Sequence, residues 1–182
     1  YAFLTNDFSI AYVANHSNRS LPDFYKVSAI WGSHEGSMLL WIWTICAWSL
    51  CYGIFSRDDA NFKSKVFAAI LGIIGLLGLF LIFTSNPFAR NLPFYPLDGK
   101  DLNPILQDIG MIFHPPLLFL GYAGLALVFC LGIAGLVKGK LSSQEVSSLT
   151  TVSVITWLFL TAGNMLGSWW AYNELGWGGW WF

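Results

Sequence analysis

Three histidines are the sharpest chemical resource in this chain. His114 stands in Met111-Ile112-Phe113-His114-Pro115-Pro116-Leu117, directly before a long apolar run. Proline is favoured in the first turn of a helix, where its missing N–H would be unpaired anyway. Pro115 and Pro116 therefore predict a helix start with His114 at its mouth. The positive end of a helix dipole disfavours imidazolium, and a neutral imidazole is the form that ligates a metal. A hydrogen-bonded structural role competes with ligation at this position. His34, in Trp31-Gly32-Ser33-His34-Glu35-Gly36-Ser37, has glycine on both sides and a freed backbone. Functional and structural readings of it stay equally open. His16 lies in a polar run and reads as a solvated loop residue.

The second resource is aromatic. Residues 167–182 hold five of the ten tryptophans and four glycines. Such a stretch offers flat faces, indole N–H donors and little bulk between them. It suits a flat apolar ligand, or a membrane–water boundary where Trp is enriched. Trp177-Gly178-Gly179-Trp180-Trp181 is too glycine-rich for an ordinary interfacial belt. Arg90 and Lys100, in the turn-rich segment 84–110, could meet carboxylates of a ligand or simply be solvated. Phe88, Phe94, Tyr95 and Leu97 argue that this segment is ordered rather than disordered.

Other chemistries find no residues. There is no phosphate loop, no carboxylate pair at catalytic spacing and no defensible Ser/His/Asp set, so no catalytic residue is assigned. Cys46, Cys51 and Cys130 lie in apolar runs without Cys-x-x-Cys spacing and read as small buried hydrophobes. A net charge of −1 gives no basic footprint for nucleic acid.

The elements that must position these residues are membrane spans. The chain is 55% hydrophobic and only 10% charged, against about a quarter charged in a soluble domain. Four apolar runs, 37–55, 66–83, 117–137 and 149–167, contain no Asp, Glu, Lys, Arg or His. About 20 helical residues cross a hydrocarbon core. The expected fold is all-α: four transmembrane helices of a larger polytopic bundle. Loops 1–36 and 84–116 and the tail 168–182 lie on one side, and loops 56–65 and 138–148 on the other. Arg57, Lys63, Lys65, Lys138 and Lys140 crowd the two short loops, whereas Arg19, Lys26, Arg90 and Lys100 are spread over long ones. That density predicts the short loops inside and the histidines and tryptophan tail outside. Gly72, Gly75, Gly78, Gly121, Gly124, Gly163 and Gly167 recur at helical spacing and predict close helix packing.

Several blocks carry a resemblance. They are Trp31–Ser37, Phe83-Thr84-Ser85-Asn86-Pro87-Phe88, Asp101-Leu102-Asn103-Pro104-Ile105-Leu106-Gln107-Asp108, Ile112–Leu117 and Gly176-Trp177-Gly178-Gly179-Trp180-Trp181-Phe182. In this order they resemble the CcmF/NrfE-type heme lyase family of cytochrome c maturation, whose tryptophan-rich signature is the WWD domain. The resemblance implies an N-terminal portion of a larger protein in a bacterial inner membrane or the mitochondrial inner membrane. It implies a WWD loop facing the periplasm or intermembrane space. There the family binds b-type heme as substrate and joins its vinyl groups to the Cys-x-x-Cys-His thiols of apocytochrome c. His114 would be one of two axial histidines. Trp169, Trp170, Trp177, Gly178, Gly179, Trp180 and Trp181 would contact the heme, with His34, Arg90 and Lys100 as further candidates. The second axial histidine, the ligands of the family's transmembrane b heme and the Trp-Asp-Pro continuation are not among these residues. Implied partners are apocytochrome c, the heme chaperone, the thiol-reducing and apocytochrome-binding subunits, and the lipid bilayer. A WWD-type heme carrier or exporter without ligation activity is the alternative; the His-Glu-Gly block at 34–36 and the Asn-Pro loop favour the lyase. A membrane scaffold with merely interfacial tryptophans is the third reading.

Overall fold

A computed structural model describes residues 1–174 and 176–177. The protein is an all-α membrane protein, and the described residues hold four helices long and apolar enough to cross a membrane. Two short helices come first, α1 (Ala11–His16) and α2 (Asp23–Ser28), then a 3-10 turn at Ala29–Trp31. The spans are α3 (His34–Phe55), α4 (Ala60–Thr84), α5 (Ile109–Lys138) and α6 (Ser143–Glu174).

Each span is longer than its apolar run, because lipid sets the run and capping sets the helix. Asp59 accepts from Phe62 N at 2.8 Å and starts α4 ahead of Val66. Asp108 accepts from Gly110 N at 2.6 Å and starts α5 ahead of Leu117. Ser142 and Glu145 form a reciprocal capping box: Ser142 N donates to Glu145 Oε2 at 2.8 Å, and Glu145 N donates to Ser142 Oγ at 3.3 Å. The expected helix start at Pro115 is therefore corrected. His114, Pro115 and Pro116 lie inside α5, beyond its first turn. The tail is corrected likewise, since α6 carries Trp169 and Trp170 as helical residues.

Helix α5 is the centre of the bundle, and α3, α4 and α6 all pack on it. Leu127, Cys130, Leu131 and Ala134 of α5 meet Ile45 of α3, Val66 and Ile70 of α4 and Val152 of α6. Lipid is as apolar as these side chains, so close packing rather than water exclusion holds helices together here. Glycine supplies it along the antiparallel α5–α6 hairpin. A Cβ at Gly121 would lie 2.5 Å from Leu160 Cδ2, and one at Gly163 2.8 Å from Leu118 Cδ2. The glycines of α4 behave differently. A Cβ at Gly72, Gly75 or Gly78 would meet nothing within 4 Å, so they pack on no described residue. Cys46 and Cys51 are exposed on α3 and only Cys130 is buried, which corrects the expectation for two of the three.

Segment 1–36, expected as a loop, is partly helical and has its own core. Phe3, Phe8, Tyr12, Val13, Leu21 and Ala29 close around Leu102 of the α4–α5 loop. That loop is ordered, but not through the aromatic residues that suggested it. Phe88, Phe94, Tyr95 and Leu97 are all exposed. Backbone bonds fasten it instead: Ala11 N to Ala89 O, Asn91 N to Ser9 O and Lys100 N to Ala14 O, all within 2.8 Å. At the opposite end, Lys138 joins the two short loops. It pairs with Glu145 at 2.6 Å and with Asp59 at 3.3 Å. Asp58 adds a second tie, accepting from Tyr52 Oη at 2.8 Å and Ser148 Oγ at 2.9 Å.

Candidate functional site

His114 projects from α5 onto α6. Its Nδ1 lies 2.8 Å from the Gly163 carbonyl. A carbonyl can only accept, so Nδ1 carries the hydrogen and donates. In a neutral imidazole this fixes the tautomer and leaves the Nε2 lone pair as the ligating position, the arrangement typical of metal-bound histidine. The ring rests on Gly167, where a Cβ would fall 2.7 Å from Nδ1. Any side chain there would displace the imidazole.

One turn further along α6, Trp170 covers the stretch of α5 between Gly110 and His114. A Cβ at Gly110 would lie 2.5 Å from Trp170 Cγ. The Trp170 ring centroid is 6.0 Å from that of His114, with the planes inclined by 54°. Its Nε1 is buried and has no hydrogen-bond partner among the described residues. Trp169 is its helix neighbour, turned about 100° away, so the two indoles cannot share one face. Gly176 takes a φ of +63°, and Trp177 N–H returns to the Ala171 carbonyl at 3.1 Å, folding the chain back past the end of α6. Trp177 is exposed. Gly178, Gly179, Trp180 and Trp181 lie outside the described residues.

The secondary candidates are distributed elsewhere on this end of the molecule. His34 opens α3 with an exposed ring, its Nδ1 3.4 Å from Glu35 Oε2. Arg90 is held within the N-terminal unit, donating to Ser9 Oγ at 2.7 Å and lying 3.8 Å from Asp7. The Ser9 hydroxyl, followed by the Ser9 amide and Arg90, keeps the Asp7 carboxyl below its ordinary range against an opposing effect of burial. Lys100 is an exposed loop residue whose backbone N–H anchors to Ala14. None of the three has a hydrogen bond, ion pair or ring contact with His114 or Trp170 among the described residues. Sequence reasoning took Gly163 and Gly167 as ordinary packing glycines and missed that they form the seat of His114. The signal was there: two glycines four apart on the helix that leads into the tryptophan tail.

A family model described as Cytochrome C assembly protein matches residues 31–182. The chain belongs to this family. It is 51% identical over 186 residues to the cytochrome c-type biogenesis protein CcmF of Haemophilus influenzae, covering 100% of this chain and 28% of that protein. It is 47% identical over 183 residues to the cytochrome c-type biogenesis protein NrfE of the same organism, covering 100% of this chain and 29% of that protein. Among solved structures, the cytochrome c heme lyase CcmF matches with a TM-score of 0.79 and 29% identity, over 100% of this chain and 28% of that one. The chain thus spans little more than a quarter of the length of the curated relatives it matches. The match to CcmF and NrfE bears out the family expected from the sequence blocks.

The residues present would suit a flat aromatic ligand that takes a nitrogen donor from the protein. His114 offers a lone pair with its other nitrogen already satisfied. Trp170 offers a ring beside it and a buried indole N–H still open to an acceptor. Gly167 gives the imidazole its seat.

Proposed function

We propose that this chain forms one part of a heme-handling site that serves cytochrome c maturation, with His114 as an axial ligand and Trp170 beside it. The observation that carries this reading is the hydrogen bond from His114 Nδ1 to the Gly163 carbonyl, which presents Nε2 as a ligand. Heme is here the substrate, and it supplies the vinyl groups. Addition of a thiol S–H across a vinyl C=C forms the C–S bond and places the hydrogen on the neighbouring carbon, so neither oxidant nor reductant is consumed. The protein's work is then orientation. His114 fixes one axial direction. Trp170, and with it the segment from Trp177 to Trp181, would hold the macrocycle against slipping. The absence of a catalytic acid–base set in the sequence agrees with a reaction governed by placement.

The same reading puts His114 and the tryptophan tail on the outer side of a bacterial inner membrane, supported by the Lys and Arg density of the two short loops. Apocytochrome c would approach from that side, together with the subunits that deliver heme and keep the thiols reduced. The test is a His114→Ala change in the full-length protein. Heme bound at this site and the yield of holocytochrome c should both be lost. Unchanged heme spectra with normal cytochrome maturation would reject the assignment.

A further inference from the structure

The second turn of α5 contains a backbone gap. Pro115 has no N–H, so the Met111 carbonyl loses its i→i+4 partner. Met111 is buried, out of reach of water. A buried carbonyl left unpaired is costly, and a helix with a proline in its interior bends or frays unless something answers it. The unpaired group lies one turn from His114 and next to Gly110, on which Trp170 rests.

The answer comes from eighty residues away in sequence. Trp31 donates its indole Nε1–H to the Met111 carbonyl at 2.8 Å. Trp31 is itself held. Its carbonyl accepts from Ser37 Oγ at 3.0 Å, and Tyr12 Oη donates to Ile30 O at 3.1 Å and accepts from Ser33 N at 3.2 Å. Burial of Tyr12 pushes its hydroxyl up to about 12, so it stays protonated and a donor at neutral pH. Trp48 makes a superficially identical bond to the Leu120 carbonyl at 2.8 Å. There residue 124 is a glycine with its own amide, so the indole is an addition. At Met111 it is a replacement.

We infer that Trp31 is a positioning residue for His114: its indole N–H stands in for the amide that Pro115 lacks and holds the turn of α5 that presents the imidazole to α6. This rests on the reading of His114 as a heme ligand. It also gives the tryptophan of the Trp31–Ser37 block a role distinct from stacking on the ligand.

The distinguishing property is that the defect can be repaired from the other side. Four full-length proteins are compared: Trp31→Phe, Pro115→Ala, the double variant, and His114→Ala. Hydrogen exchange of the heme-free protein is followed over residues 109–116, and heme affinity and midpoint potential are read on loading. Trp31→Phe should speed exchange in that segment and weaken heme binding, each by about tenfold, the factor that one net hydrogen bond represents. Adding Pro115→Ala should restore both, because an alanine at 115 brings the missing amide. If Trp31→Phe alone does not accumulate, recovery of folded protein in the double variant reads the same rescue. A double variant that restores neither exchange, heme affinity nor yield overturns the inference. His114→Ala separates the two ideas: if it leaves heme binding intact, the heme reading fails, while the exchange data still decide the role of Trp31.

Discussion

The imidazole of His114 and the backbone of Gly167 are in direct contact, with no space between them for even a methyl group. The contact joins a candidate ligand on α5 to the helix that leads into the tryptophan tail. It means that the position of the ring is set by the absence of a side chain.

Gly167→Ala should therefore displace the ring without unfolding the protein. The Gly163 carbonyl would no longer align with Nδ1, and heme affinity of the full-length protein should fall by about an order of magnitude, the worth of one hydrogen bond. Titration of heme into the purified variant measures this. Native affinity would show that the seat tolerates a side chain.

Gly124 and Gly72 provide a contrast in helix packing. A Cβ at Gly124 would lie 3.0 Å from Thr156 Cβ and closer still to its hydroxyl, whereas one at Gly72 would meet nothing within 4 Å. Gly124→Ala should cost about 1–3 kcal/mol through overpacking. Gly72→Ala should be neutral among the contacts described, or slightly stabilising through helix propensity. Thermal unfolding in detergent compares the pair, and equal shifts would contradict the α5–α6 packing.

At the other end of the hairpin, Glu145 closes the capping box of α6 and meets Lys138 at 2.6 Å. Glu145→Ala removes both and should cost about 1–2 kcal/mol, the range for loss of a helix cap. Glu145→Gln keeps the capping oxygen and loses only the charged hydrogen bond from Lys138, so it should fall between. If the two variants are equally stable, the capping bond contributes nothing.

Asp59 gives a prediction in pH. Its carboxyl is held below the ordinary 3.8, first by the Phe62 N–H and then by Lys138, against an opposing effect of burial. A depressed folded-state value stabilises the fold above 3.8 and loses that stabilisation as pH falls through the lower, folded value. Asp59→Asn should thus be less stable than the native chain near neutrality, with the gap closing in acid below 3.8. Unfolding midpoints at a series of pH values test this; a gap that widens in acid would reverse the sign.

How much of this was legible beforehand differs from element to element. The four spans were, because an apolar run without charge has few other homes in a chain this short of charge. Their true ends were less so, although Asp59, Asp108 and the Ser142–Glu145 pair are local signals that could have been read. The position of Pro115 inside a helix was not. Its tolerance depends on an indole from a distant segment, and no local rule reports a long-range donor. The heme candidates divided in the same way. His114 and Trp170 come together because 110, 114, 163, 167 and 170 lie on facing sides of one hairpin. Arg90 was drawn off by Ser9 and Asp7, partners that only the folded N-terminal unit brings near.

The hairpin of α5 and α6 also decides where this protein can change and where it cannot. Its register is fixed by glycine backbones seated against particular side chains, and the histidine seat is one station in that series, about 36 Å from the Lys138 tie at 1.5 Å per residue. Sequence drift on the lipid-facing surfaces would leave the distance between imidazole and indole untouched. A single added methyl at Gly121 or Gly124 would push α5 and α6 apart there, so damage far from the histidine seat would be felt at it.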